Sequence, residues 1–371
     1  MLRAIAEARR GAGLVEPNPM VGAIIVQDGV LIGLGFHEAF GGPHAEVNAL
    51  RAAGARARGG TLYVSLEPCC HHGKTPPCTE AILNAGISRV VVAARDPFPA
   101  VSGQGIERLR AAGVTVTVGT EEAVARRLLG PYLKRITTGR PFVTAKWAMT
   151  ADGKIATAKG KSRWISNESS REEVHALRRR VDAVAVGVET VIADDPLLTP
   201  RPAGPRTVVR VVLDSSARIP TESCLVRSAK EAPVWIAVTE RAPAPRLERL
   251  HELGCEILRF ESPNCVPVSS LLDELGRRDF TNLLVEGGGR VLGSFLNEDQ
   301  IDAVQIYIAP VIEGGDHSHT PVRGRGSHSI AESIRLVHTS WRELTGDGVL
   351  TGLFPRPWLV PVEPHGGPDP P

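Results

Sequence analysis

The chain has 371 residues, 43 basic and 41 acidic, with 42% hydrophobic and 23% charged side chains. On a soft prior of about 150 residues per domain this suggests two or three folded domains, two being the working number, and excludes a disordered or fibrous chain. Residues through Arg140 hold 16 basic and 11 acidic side chains and the rest hold 27 and 30, so neither half carries the basic excess of a nucleic-acid footprint. No apolar run of about 18 residues offers a membrane span.

In chain order, Met1-Leu2-Arg3-Ala4-Ile5-Ala6-Glu7 has too short an apolar stretch for a secretion signal, so a cytoplasmic location is expected. Leu2 to Arg10 reads as a helix stopped by Gly11. Met20 to Val26, the Asp28-Gly29 turn and Val30 to Gly35 read as a β-hairpin. His44 to Ala53 reads as a helix and Thr61 to Ser65 as a strand, and a second helix begins near Cys78. A strand at Arg89 to Ala93, a helix at Gly105 to Ala112, a strand at Val114 to Val118 and a helix at Glu121 to Lys134 follow. Such alternation predicts an α/β layered domain. Thr137-Thr138-Gly139-Arg140-Pro141 reads as a linker, dividing the chain into domains of residues 1–138 and 141–355.

Within the first domain, His44-Ala45-Glu46 is followed by Glu67-Pro68-Cys69-Cys70 and by Cys78. A tight cysteine cluster in a long cytoplasmic chain reads as metal-binding or catalytic, whereas the scattered Cys224, Cys255 and Cys265 read as small buried apolar residues. His44, Cys69 and Cys78 are the candidate zinc ligands. Three protein donors leave a fourth tetrahedral position for water, the arrangement of a catalytic zinc. Glu46 is too close to His44 to be a comfortable fourth ligand but near enough to carry the water proton, so it is the candidate catalytic residue. Cys70 is an alternative to Cys69, and His71 and His72 are alternatives as further ligands; Pro68-Cys69 fits the His-x-Glu and Pro-Cys pattern of zinc deaminases better. Two rivals stand beside this reading. A polynucleotide base deaminase with an accessory domain lacks its basic groove here, and a purely structural zinc module has no use for Glu46.

Cys78 comes nine positions after Cys69, enclosing His71-His72-Gly73-Lys74-Thr75-Pro76-Pro77. With Pro17-Asn18-Pro19-Met20-Val21-Gly22 and Arg95-Asp96-Pro97, this run resembles the deaminase domain of the bifunctional riboflavin-biosynthesis family, RibD. The resemblance implies a cytidine-deaminase-like αβα fold and hydrolytic removal of the 2-amino group of a diaminopyrimidinone carrying a phosphoribosylamino arm. It implies substrate contacts at Asn18, His71, Lys74 and Asp96, with Lys74 the cation suited to the phosphate. Phe98 stands where the family often has Asn.

In the second half, Phe142 to Met149, Ala183 to Gly187, Thr207 to Leu213, Val234 to Val238 and Asn282 to Val285 read as strands, and Ser170 to Arg180 as a helix. These apolar runs predict a mostly parallel sheet. Glu286-Gly287-Gly288-Gly289, between a strand and the helical Val291 to Leu296, can bring backbone N–H groups to a pyrophosphate, although it is not the GxGxxG fingerprint. Lys146 to Ala156, Ser162 to Ser166, Gly187 to Pro196 and Val285 to Gly288 resemble the reductase domain of the same family. The resemblance implies a dihydrofolate-reductase-like α/β fold and NADPH-dependent reduction of the ribosyl arm to a ribityl chain. It implies substrate contacts at Ser162, Arg178, Leu198, Arg201 and Glu286, with Lys146 a further candidate; Arg178 and Arg201 offer bidentate donors to a phosphate. It implies NADPH contacts at Ala148, Trp164, Thr190, Asp194 and the loop carrying Gly288, Gly289, Arg290 and Ser294. Ser215 and Arg218, after the strand ending at Leu213, are candidates for the 2′-phosphate. Glu189 replaces the glycine usual in the family's Gly-Val-Gly-Thr turn. The Pro- and Gly-rich segment 356–371 is expected to be disordered. The expected partners are small pyrimidine ribose phosphates, zinc, NADPH and further copies of the chain in a homo-oligomer, with no nucleic acid or membrane.

Overall fold

After α1 (Leu2–Ala8), the chain forms β1 (Gly22–Gln27) and β2 (Val30–Phe36). Asp28 and Gly29 both take positive φ, 50° and 77°, the geometry that closes a two-residue hairpin. α2 (Ala45–Ala53), β3 (Thr61–Leu66), α3 (Cys78–Asn84), β4 (Arg89–Ala94), α4 (Gln104–Ala111), β5 (Thr115–Val118) and α5 (Glu122–Thr138) follow. The strands form one sheet in the order β2-β1-β3-β4-β5, antiparallel across the hairpin and β1–β3, and parallel from β3 to β5. Ala45, Ala49 and Ala53 of α2, Ile82 of α3 and Leu109 of α4 pack on one face of the sheet. Ile5 of α1 and Ala125, Leu129 and Leu133 of α5 pack with Leu66, Ala93 and Ala94 on the other, giving three layers. α2 lies so close to β2 that a Cβ at Gly35 would stand 2.4 Å from the Ala49 backbone N, so a glycine there lets the helix backbone rest directly on the strand.

The structure, a computed structural model, describes residues 1–361. It has two units, Met1–Thr138 with the segment from Arg356, and Gly139–Pro355. Two sequence expectations are corrected at this boundary. Thr137 and Thr138 are not linker but the last turn of α5, where their hydroxyls donate to the Leu133 and Lys134 carbonyls at 2.7 Å each. The start of the segment expected to be disordered is instead a short 3-10 turn, Pro357–Leu359, with Leu359 buried and Trp358 packed against the α5 core; Arg126 Nε donates to the Trp358 carbonyl at 3.2 Å. Residues 362–371, the remainder of that expectation, lie outside the described residues.

The second unit contains β6 (Phe142–Thr150), α6 (Glu168–Arg178), β7 (Ala183–Gly187), α7 (Val188–Asp194), β8 (Val209–Leu213), α8 (Cys224–Arg227), β9 (Val234–Val238) and α9 (Ala244–Glu252). It continues with β10 (Glu256–Arg259), α10 (Val268–Arg277), β11 (Asn282–Val285), α11 (Gly289–Asn297), β12 (Ala303–Ala309), β13 (Val337–Leu344) and β14 (Asp347–Leu353). These strands form a sheet in the order β10-β9-β8-β7-β11-β6-β12-β14-β13, parallel from β10 through β12 and antiparallel at β14 and β13. α10 and α11 cover one face through Leu271, Leu272, Leu275, Leu292 and Phe295. α8 and α9 cover the other through Leu225, Val226, Leu247 and Leu250. From β7 the chain moves outward through β8, β9 and β10, then returns to place β11 on the opposite side of β7. The carboxyl ends of β7 and β11 therefore flank a topological switch point, where parallel α/β sheets open a ligand crevice.

Candidate active sites

His44 is the residue before α2, not in its first turn, and Glu46 is the helix's second residue. Cys69 lies three residues beyond β3, and Cys78 opens α3. Close contact between α2 and β2 and the return of the chain into α3 bring the four together. His44 Nδ1 is 3.5 Å from Cys69 Sγ and 3.2 Å from Cys78 Sγ, and the three donor atoms lie within 4.8 Å of one another. The Cys78 N–H donates to Cys69 Sγ at 3.3 Å. The Cys78 hydrogen bond, then His44, hold the Cys69 thiol down to about 4 against its burial, while Cys78 is pushed the other way by sharing its proton with Cys69. Two soft sulfurs and one imidazole nitrogen converging in this way fit zinc. His44 Nε2, facing away from the cysteines, lies 3.4 Å from Thr75 Oγ1, so Nδ1 is the donor and Nε2–H fixes the ring. Cys70 points elsewhere, toward the Ala100 carbonyl at 3.7 Å, and His71 and His72 are outside the donor group.

His44, Glu46 and Cys69 line one side of a cavity of about 310 Å³ that also meets Asn18, His71, Lys74 and Asp96. Glu46 is 3% exposed, and burial pushes its carboxyl up to about 7 against the opposing pull of His44. A carboxyl poised there can accept and return a proton near neutrality. Asp96 is also buried; burial pushes it up to about 6, although the Phe98 N–H at 2.9 Å and the Tyr132 hydroxyl at 2.8 Å donate to its Oδ1. Asn18 donates to His37 Nε2 at 3.1 Å, and His37 Nδ1 meets the Pro43 carbonyl at 3.0 Å, so a neutral His37 ties Asn18 to the residue before the His44 ligand. Lys74 Nζ sits 3.8 Å from the centre of the Phe40 ring. Phe98 places its ring 5.8 Å from that of His71, at the cavity wall. His37, Phe40, Thr75 and Tyr132 are site residues that sequence reading misses, since a single histidine, threonine or aromatic carries no local signal of its role.

In the second unit, Arg178 of α6 and Glu286 after β11 form a two-toothed pair, Nε–Oε1 2.6 Å and Nη2–Oε2 2.8 Å, with side chains 14% and 7% exposed. Burial alone would raise the Glu286 carboxyl; Arg178 and then Lys146 hold it below the usual range. Lys146 on β6 is itself lowered by burial, against the pull of Glu286. Arg201 acts on His175 together with Arg178 and Glu286, which puts its charge in the same neighbourhood. Leu198 is a correction of emphasis. Its side chain is in the core at 4% exposure and its φ is 57°, so any ligand contact there falls to its backbone.

Of the expected cofactor residues, Thr190 and the Gly288 turn meet at the switch point. Gly287 and Gly288 take φ of 133° and 69°, and a Cβ at Gly287 would stand 3.2 Å from Thr190 Oγ1 on α7, so bare backbone faces the crevice between them. Ser162 donates to Asp194 Oδ1 at 2.8 Å, and Arg163 to the Asp194 carbonyl, fixing the loop after β6 to the end of α7. Gly289 packs on the Thr320 carbonyl, and Ser294 Oγ is held by the Arg290 carbonyl at 3.0 Å. Trp164 is 69% exposed, with the Arg171 guanidinium 4.6 Å from its ring. Ala148 packs beside Tyr307 and Val174. Ser215 and Arg218 follow β8, the strand beside β7, and Arg218 is paired with Glu189 at 2.7 Å. A glycine-bared crevice beside a threonine and an arginine fits a phosphorylated dinucleotide.

Fold and sites together place the protein among zinc-dependent pyrimidine deaminases of the αβα type, extended by a nucleotide-dependent reductase unit. Residues 1–94 match the cytidine and deoxycytidylate deaminase zinc-binding region, and residues 141–350 match the RibD C-terminal domain. The riboflavin biosynthesis protein RibD of Aquifex aeolicus is 45% identical over 94% of this chain and 96% of its own, and that of Actinobacillus pleuropneumoniae 41% over 94% and 93%. Among solved structures, RibD of Acinetobacter baumannii superposes with a TM-score of 0.81 at 36% identity, covering 96% of this chain and 98% of its own. A Thermotoga maritima diaminohydroxyphosphoribosylaminopyrimidine deaminase/5-amino-6-(5-phosphoribosylamino)uracil reductase gives 0.81 at 37%, covering 95% and 97%. The chain belongs to the RibD family: it is a bifunctional enzyme of riboflavin biosynthesis, a zinc-dependent deaminase and an NADPH-dependent reductase.

Proposed function

We propose that residues 1–138 carry the deamination of 2,5-diamino-6-(5-phosphoribosylamino)pyrimidin-4-one and residues 141–355 the reduction of the deaminated product, with roles as follows. His44, Cys69 and Cys78 hold the zinc ion, which when bound supplies the Lewis acidity that makes water a nucleophile near neutrality. Glu46 takes a proton from the attacking water and returns it to the departing amine, so that water adds at the ring carbon and ammonia leaves. Asn18, His71 and Asp96 hold the pyrimidine, and Lys74, at the cavity's edge beside Phe40, meets the phosphate. The observation that carries this reading is the convergence of three zinc-type donors beside a substrate-sized cavity whose wall two of them, His44 and Cys69, share with the buried Glu46.

In the second unit NADPH, when bound, supplies the hydride for the sugar carbon. Thr190, Asp194 and the backbone of residues 288–294 hold its phosphates, Ala148 and Trp164 border it, and Ser215 and Arg218 meet the 2′-phosphate. Arg178 and Arg201 take the substrate phosphate, while Ser162, Lys146, Glu286 and the Leu198 backbone position the arm. Incubation with the diaminopyrimidinone while ammonia and NADPH absorbance are followed together tests both halves: ammonia first and NADPH consumption after it are expected. Folded, zinc-loaded protein that releases no ammonia would overturn the first assignment.

The same reading places the enzyme in the cytoplasm, in keeping with six unpaired cysteines and a phosphorylated substrate. It assembles the chain into a homo-oligomer through the second unit. β13 is an edge strand with mostly exposed side chains, Trp341 at 65% among them, a surface that a second copy would cover.

A further inference from the structure

Glu189 and Arg218 come from neighbouring strands of the second unit's sheet. β7 and β8 run parallel with Gly187 opposite Leu213, so the turns that follow them emerge side by side at the carboxyl edge. Glu189 is the second residue of α7, next to Thr190, which touches the glycine turn. Arg218 stands on a turn that is pinned from several directions. The Asp214 carboxylate accepts the Ile219 N–H at 2.7 Å, and Arg246 donates to the carbonyls of Ala217, at 2.9 Å, and Ile219, the residues on either side of Arg218. Ser215 is fixed as well, its carbonyl accepting from the Thr239 hydroxyl at 2.9 Å. The guanidinium is therefore presented by a rigid base, and the group it meets is the Glu189 carboxylate at 2.7 Å.

We propose that Glu189 is a specificity-determining residue for the cofactor: it is an internal competitor for Arg218 that narrows the margin by which NADPH is preferred over NADH. This rests on the placement of the 2′-phosphate given above. The two side chains are 57% and 50% exposed, so the pair is weak enough for a phosphate to displace it. Displacement leaves a carboxylate beside a phosphate that carries up to two negative charges, and that repulsion acts on NADPH and not on NADH, which has a hydroxyl at the same position. A glycine at this point would impose no such cost.

The test is the equilibrium dissociation constant of NADPH and of NADH, measured by calorimetry on the full-length protein, for the parent, Glu189→Gln, Arg218→Gln and the double variant. Glu189→Gln is expected to tighten NADPH by roughly 5- to 30-fold and to leave NADH within about twofold. Arg218→Gln is expected to bring NADPH close to NADH, and in that background Glu189→Gln should lose only the part of its effect that comes from freeing the guanidinium and keep the part that comes from removing the carboxylate's repulsion of the phosphate. If Arg218→Gln lowers the preference for NADPH but Glu189→Gln does not raise it, the phosphate placement stands and this proposal falls. If Arg218→Gln leaves the preference unchanged, the placement fails and the proposal falls with it. Glu189→Gly, read in the same assay, distinguishes loss of charge from loss of the side chain; a glycine variant that tightens both cofactors equally would also overturn the competition.

Discussion

Glu46 and Asp96 are carboxyls of one cavity that are displaced upward by the same cause, burial, and are used differently. Glu46→Gln keeps the shape of the side chain but cannot carry a proton. It should retain one zinc per chain by elemental analysis while ammonia release falls roughly 10²- to 10⁴-fold, and NADPH oxidation with pre-deaminated substrate should stay at the parent rate. Asp96 bears on stability through pH. Its folded value of about 6 lies above the ordinary 3.8, so the folded state binds the proton more tightly. Its favourable contribution is fully present below about pH 4 and is lost as pH rises through about 6. Asp96→Asn should therefore stabilise the protein more at pH 7 than at pH 4.5, by an amount on the order of 2 kcal/mol in chemical denaturation, while impairing deamination.

At the scale of elements, the loop between β4 and α4 is held by one side chain. Glu67 accepts backbone N–H groups from Asp96 at 3.3 Å, Gly103 at 3.0 Å, Gly105 at 3.0 Å and Ile106 at 3.2 Å. Glu67→Ala leaves those donors buried and unpaired, and should cost about 2 to 4 kcal/mol in urea unfolding of the first unit and loosen Asp96 in the cavity. The Arg178–Glu286 pair is the corresponding tie in the second unit. Glu286→Gln strips the buried guanidinium of its counter-charge and should cost about 3 to 5 kcal/mol and abolish NADPH oxidation, with ammonia release intact. What the sequence made legible here was short-range chemistry. Two cysteines, a histidine and a glutamate at close spacing state their function locally, and helix punctuation placed Glu46 and Cys78 on the right helices while setting His44 one residue too far into α2. His37 and Tyr132 were illegible because their meaning depends on β2, α5 and the β4 loop meeting at one cavity. The antiparallel edge of β14 and β13 was missed for the same reason, since strand partners are set by long-range pairing. Glu189 was visible as an unusual residue, but only its distance to Arg218 gives it a role.

The whole molecule carries two chemistries on two separate cores, and they should be separable. Stripping the metal with a chelator should abolish ammonia release and leave reduction of pre-deaminated substrate unchanged, with zinc restoring the first activity. Trp358→Ala removes a ring packed on α5, so thermal inactivation should reach ammonia release several degrees before NADPH oxidation; simultaneous loss would show that the packing does not stabilise the first unit selectively. That packing also has a meaning in time. The first unit leaves the chain at Thr138 and recovers its last described element only from Arg356, after all of Gly139–Pro355. At translation rates of about 5 to 20 residues per second, the α5 face waits roughly 10 to 45 s for Trp358. A ribosome that stops early therefore releases a deaminase unit lacking the turn that covers α5, a less stable product and a better substrate for proteolysis, so the closing turn reports that the reductase unit has been made.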